Sequence, residues 1–203
     1  MGTDIHLYVQ EKQEDGTWKK LLPSQTKYKK NISRKDGSFY IQRNYELFNA
    51  LAGIRGEGPK LSASKKGVPK NICPKLKKNI EYDVEGHSHH HMLLSSIKLD
   101  LEKEEVFDLS SYEYKMYQKF PGPPYCSYKF SNFYSDNKEV SEKDMQKIIA
   151  MKNFESNGSF FCKVKYKFSS EDIYGKDFIS LVSELKKRKK DPKDIMLVFY
   201  FDC

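Results

Sequence analysis

The two ends of the chain constrain the fold more than anything between them. Residues 4–10, DIHLYVQ, alternate: Ile5, Leu7 and Val9 point one way, and Asp4, His6, Tyr8 and Gln10 the other. That is the period of a half-buried strand. Residues 195–201, IMLVFYF, form an unbroken apolar run after the helix stop Asp191-Pro192, as expected of a strand buried within a sheet. Two strong sheet formers at opposite ends of one chain are expected to be neighbours. The segments between them mix both periods. Asp15-Gly16 is a hairpin signal leading into TWKKLL, and Asp36-Gly37 is a second one leading into SFYIQ. RNYELFNALAG places Tyr45, Phe48, Leu51 and Ala52 on one helical face and closes on Gly53. SEKDMQKIIAMKNF opens with Ser141 as N-cap and buries Met145, Ile148 and Ile149. Residues 160–168 alternate again, with Phe160, Cys162, Val164, Tyr166 and Phe168 against Lys163, Lys165 and Lys167. A helix over DFISLVSELKKRKK turns Phe178, Leu181, Val182 and Leu185 inward and gathers lysines at its negative end. The pattern predicts an α+β fold: a mainly antiparallel sheet with first and last strands adjacent and helices packed on one face.

At 203 residues the chain suits a single domain over 1–203, or one domain with an elaborate insertion. Two stretches read as irregular. Residues 55–80 are rich in Gly, Pro, Ser and Lys, a basic loop. Residues 108–137 hold six Tyr, three Phe and PGPPYC, an irregular aromatic insertion. MLLSSIKLDL, 92–101, is ambiguous between helix and strand. Cys73, Cys126, Cys162 and Cys203 lack C-x-x-C spacing, which disfavours a zinc knuckle and suits free thiols in the cytosol. The opening MGTDIHLYVQEKQEDG has no apolar h-region, and no run of 18 apolar residues follows. Neither a leader nor a membrane partner is expected.

The formal net charge is +8, and 14% of residues are aromatic. That combination favours anionic partners with flat rings. Lys163, Lys165 and Lys167 could track a nucleic-acid backbone, but such a row is more often a solvated strand face. No RNP motif, helix-turn-helix or zinc finger accompanies it, so nucleic acid is not the favoured partner. A homo-oligomer is left open.

Polar residues gather in three places. Asp4 and His6, at i and i+2, leave the same side of the first strand. EGHSHHHMLL holds four of the five histidines, and in an extended segment His87 and His89 share a side. Asp4, His6, His87 and His89 are therefore a candidate set for a divalent metal such as Zn or Mn, and for a metal-dependent phosphoesterase. The Gly-Asp and Gly-Asn-His-Asp/Glu segments of two-metal phosphoesterases are missing, so a metal-free polar pocket without cofactor ranks first. Arg43, Asn44 and Tyr45 stand at a helix N-terminus, where an anion is favoured. The plainer alternative makes Asn44 an N-cap and Arg43 a surface pair. Arg55 follows that helix ahead of Gly56 and Gly58, and Asp202 joins if the end strands are neighbours.

Taken as a set, MGTDIHLYVQ, RNYELFNALAGIR, GHSHHHMLL and LVFYFDC resemble a small-protein family of bacteriophages and prophages. Its pattern opens Met-Gly-Cys-Asp-Ile-His-x-Tyr-Val-Glu, continues with Arg-Asn-Tyr-x-Leu-Phe and Asp-Gly-His-Ser-His-Ser, and closes Val-Phe-Trp-Phe-Asp-Asn. Among its departures from that pattern are Thr3, Glu85, His90 and Cys203; the change beside His89 weakens a strict metal role. The resemblance implies phage origin, the cytoplasm of an infected bacterium, and action against host defence. The expected function is an anti-defence sponge that sequesters a nucleotide-type immune signal, such as a cyclic nucleotide. Its ligand-binding candidates are Asp4, His6, Arg43, Asn44, Tyr45, Arg55, His87, His89 and Asp202. The alternatives are a phosphoesterase that degrades the signal and a module that binds a host protein.

Overall fold

The computed structural model describes residues 3–28, 36–54, 65–81, 86–120, 122–124, 137–151, 160–188 and 190–202. The chain divides into two compact units: residues 1–101 with 173–203, and residues 102–172. The second unit is thus one continuous insertion into the first.

In the first unit, β1 (Asp4–Lys12) turns at Gly16 into β2 (Trp18–Leu21). Asp15 Oδ1 accepts from the backbone N–H and the hydroxyl of Thr17 and closes the turn. After α1 (Tyr45–Ala52) come β3 (Lys65–Lys66), α2 (Pro74–Glu81) and β4 (His87–Leu93). The chain ends in β8 (Ile195–Asp202). Strand order is β2-β1-β8-β4-β3, all antiparallel, so the first and last strands are adjacent. Ile5 pairs with Phe201, Leu7 with Phe199 and Val9 with Leu197. These six are fully buried, each contributing roughly 1.5–3 kcal/mol of apolar transfer. Phe48 of α1 lays its ring edge on Phe201, which puts α1 on this face.

The opposite face is covered too. Tyr8, Met196, Val198 and Tyr200 form one cluster with Cys73, Leu76 and Ile80 of α2 and its lead-in. The expected helices on one face are therefore joined by α2 on the other. For the same reason β1 is not half-buried: Tyr8 and Gln10 are as buried as Ile5. Composition concealed α2 inside the 55–80 loop. Pro74 stands at its first position, where the missing N–H costs nothing, and Leu76 and Ile80, one turn apart, supply its buried stripe. Of the second hairpin, the residues just before Asp36 lie outside the described ones; among the described residues SFYIQ makes an isolated bridge from Phe39 to Leu7.

The second unit is a sheet of order β5-β7-β6, from β5 (Lys103–Ser110), β6 (Lys138–Glu139) and β7 (Phe160–Phe168). Two helices, α3 (Ser111–Lys119) and α4 (Glu142–Ile149), pack Tyr114 and Met145 with Leu109, Cys162 and Val164. α3 lies where an irregular insertion was expected. Ser110 and Glu113 cap its start reciprocally, and Phe120 is its C-cap. Finally α5 (Ser170–Lys186), broken at Gly175, returns the chain to the first unit. No helix among the described residues is long and apolar enough to cross a membrane.

Candidate functional site

The pairing of β1 with β8 puts Asp4 opposite Asp202 and His6 opposite Tyr200. One carboxylate is thereby held twice. Asp202 Oδ1 accepts the backbone N–H of Asp4 at 3.1 Å, and Oδ2 lies 2.9 Å from His6 Nε2. The His6 ring stacks on Tyr200, centroids 4.8 Å apart and planes 3° from parallel. Its other nitrogen, Nδ1, stands 3.9 Å from Asp36 Oδ2. An imidazole is thus flanked by two carboxylates on a wall of aromatic rings.

Asp36 is the member of this cluster that the sequence did not single out. Its Oδ2 accepts the Tyr8 hydroxyl at 2.6 Å, and its Oδ1 accepts from the Ser38 backbone N–H at 3.0 Å and hydroxyl at 2.9 Å. The Asp36 carbonyl accepts the Lys20 ammonium and, at 2.6 Å, the Asn79 amide. Gly37 next to it has φ of 72°, a left-handed conformation. A Cβ there would meet Leu22 Cδ2 at 2.9 Å and Lys20 Nζ at 3.1 Å. Asp36-Gly37-Ser38 reads locally as a turn. Only the arrival of Tyr8 and Lys20 from β1 and β2 makes it a hub.

Burial alone would raise the pKa values of Asp36 and Asp202, yet both are held below the usual carboxylate range. For Asp202 the His6 ring and the Asp4 N–H outweigh desolvation. For Asp36 the opposing groups are His6, Tyr8 and Ser38. At 3.9 Å His6 Nδ1 is too distant for a direct hydrogen bond, so Tyr8 and Ser38 supply most of the effect. Burial, and next the Asp36 carboxylate that it donates to, push the Tyr8 phenol far above its ordinary value, so it remains a donor. Lys20 is shifted down, chiefly by burial, with Lys75 adding like-charge repulsion and Asp36 opposing.

Arg43 reaches the same cluster. Its Nε and Nη2 both lie 2.9 Å from Asp4 Oδ1, which closes the guanidinium on one carboxylate oxygen of an exposed pair. Asn44 is the N-cap of α1: its Oδ1 accepts the Leu47 N–H at 3.1 Å, and its amide donates to the Ile173 carbonyl at 3.2 Å. The plainer alternative for both residues therefore matches the contacts. Tyr45 is exposed, its ring edge-on to Phe48. Arg55 lies outside the described residues.

The histidine segment is the strand β4. A bulge interrupts its pairing between His87 and His90, with Ser88 at φ 51°. The bulge separates the two candidate ligands. His87 takes the register position opposite Phe201, while the His89 ring meets Tyr200 at 5.2 Å. His89 consequently joins His6 at the same tyrosine, and His87 does not share its side. His90 stacks on Phe199, and His91 Nδ1 lies 2.8 Å from the Gly67 carbonyl. Among the described residues, no group of three or more His, Cys, Asp or Glu side chains is arranged to hold a metal ion.

No family model, curated protein or solved structure matches this chain.

Proposed function

We propose that this protein holds a small nucleotide-type ligand without covalent chemistry and that, in a phage-infected bacterium, doing so withdraws a host immune signal. The observation that carries the reading is the His6 cluster. Asp4, Asp36 and Asp202 present acceptors beside a ring-backed imidazole, and Arg43 presents donors. Side-chain exposure runs from 17% at His6 to 46% at Asp4, so the groups are reachable yet preset by their own pairs. Carboxylates of this kind suit ribose hydroxyls and base amino groups, which donate in pairs. The phosphoesterase alternative draws less support, because it needs His87 and His89 at one ion and the bulge at Ser88 turns them apart.

The test is to incubate the protein with cyclic dinucleotides, cyclic trinucleotides and cyclic ADP-ribose isomers, then denature it by heat. Recovery of intact, previously bound ligand is the expected outcome. A cleaved product that a chelator abolishes would establish the phosphoesterase instead. One observation favours the protein-binding module as a second reading. Tyr112, Met116 and Phe120 are exposed at four-residue spacing along α3 and its end, and one exposed apolar stripe of this kind suits a docking face.

A further inference from the structure

A cleft of about 350 Å³ opens between β2 and the start of α2, lined by Trp18, Lys19, Lys20, Gln25, Cys73 and Lys75 among others. It lies outside the His6 cluster, and its size is that of a small-ligand site. We propose that this cleft receives the ring and phosphate groups of a nucleoside phosphate, the ring against Trp18 and the phosphates among Lys19, Lys20 and Lys75. The assignment rests on the nucleotide-binding reading above and names where the anionic part of that ligand sits.

Three features support it. Trp18 is half-buried against the Tyr8, Leu76 and Ile80 cluster, so one part of its indole is anchored while it also lines the cleft. A ring fixed in this way is a stacking platform that loses little freedom on binding. Lys20 is only 7% exposed and its ammonium is preset, bonded to the Asp36 carbonyl and 4.7 Å from the centre of the Tyr8 ring. A preset ammonium of low exposure binds an anion with less desolvation and less ordering than a surface lysine. Lys75 stands close enough to oppose the charge on Lys20. A phosphate between the two ammoniums would be attracted by both, while the Asp36 carboxylate offsets part of the Lys20 charge.

The alternative is a groove whose lysines merely stay solvated and hold no ligand. Lys20 also ties the cleft to the turn that carries Asp36. Phosphates at the lysines and polar groups at the carboxylates would then occupy opposite sides of one shared element.

Trp18 is the only tryptophan in the chain, so its emission reports on this cleft alone. The experiment titrates the full-length protein with cyclic di-adenylate, cyclic tri-adenylate, ATP and adenosine, following calorimetry and Trp18 emission in parallel. At least one of the phosphorylated probes should bind, changing the emission saturably at the calorimetric affinity, and adenosine should bind at least tenfold more weakly. Lys75→Glu should lower that affinity tenfold or more while leaving the unfolding midpoint in place, and Lys165→Glu should leave it unchanged. Calorimetric binding with silent emission and an unaffected Lys75→Glu variant would overturn the cleft assignment and leave the nucleotide reading intact. Absence of calorimetric binding for every probe would overturn the cleft assignment.

Discussion

Two antiparallel strand pairs in this molecule carry alternating charged residues, and they treat them in opposite ways. On the β5–β7 pair, Glu104 faces Lys167, Val106 faces Lys165 and Asp108 faces Lys163. The ammoniums end on Glu139, Glu104 and Glu102, with every member of these pairs about half exposed or more. Such ion pairs are screened by water and cost side-chain entropy to hold. They neutralise the lysine row that had suggested nucleic acid. On the β1–β8 pair the polar residues are Asp4, His6, Tyr8 and Asp202, and α2 covers part of that face. There Tyr8 and Asp202, with Asp36 beside them, are partly withdrawn from water, find fixed partners and leave their ordinary pKa values. Alternation by itself does not separate a solvated lattice from a preset polar site. The presence of an overlying helix does.

Breaking the hub on the covered face should have the largest effect. Asp36→Ala removes the acceptor of the Tyr8 hydroxyl, on a residue 1% exposed, and both contacts to Ser38. Unfolding free energy should fall by about 2–3 kcal/mol, since hydrogen bonds to a charged group are lost and a buried donor is left without its partner. Asp36→Asn keeps an acceptor oxygen and should recover part of the loss. Chemical denaturation monitored at Trp18 measures both, and an Asp36→Ala variant as stable as the parent would refute the hub.

Acid sharpens the comparison next. Asp36 and Asp202 have folded pKa values below their unfolded ones. Their contribution is therefore complete above the unfolded value, about 4, and is lost as pH falls through the folded values. Stability should decline as the solution is taken below about pH 4, and Asp202→Asn should flatten that decline by removing one of the two groups. Identical acid profiles for parent and variant would mean that His6 and the Asp4 N–H do not hold Asp202 as the geometry indicates.

The smallest effect is expected on the exposed lattice. Lys165→Ala breaks the pair with Glu104, and stability should change by less than about 0.5 kcal/mol. Ligand affinity should stay the same. A loss comparable with that of Asp36→Ala would remove the distinction between the two faces.

How far the sequence carried varies by segment, for reasons visible in particular residues. β1, β8, β7, α1 and α4 were legible because period, cap and stop agreed: Asn44 and Gly53 bound α1, and Ser141 opens α4. β4 was hidden because four histidines carry no strand signal, and its conformation follows from pairing with β8. In β5, KEEVFDLS, the outward residues are charged and Val106 is exposed, so no clean alternation marks it. α2 was masked by the lysines and prolines around Leu76 and Ile80. Within the site, Asp4, His6 and Asp202 were found because register follows from adjacent strands. Asp36 was missed because its partners lie 16 and 28 residues away.

The sequence by itself determined which segments are strands and helices at the well-punctuated ends, and that polar residues leave one face of the first strand, because both facts depend on backbone period and local capping. Only the tertiary structure decided what those polar residues meet. The bulge at Ser88 sent His87 and His89 to different sides, α2 closed over Tyr8, and the Gly37 turn brought Asp36 against His6 and Lys20. Those outcomes depend on contacts between distant residues and on how much water each contact excludes. No local pattern encodes either.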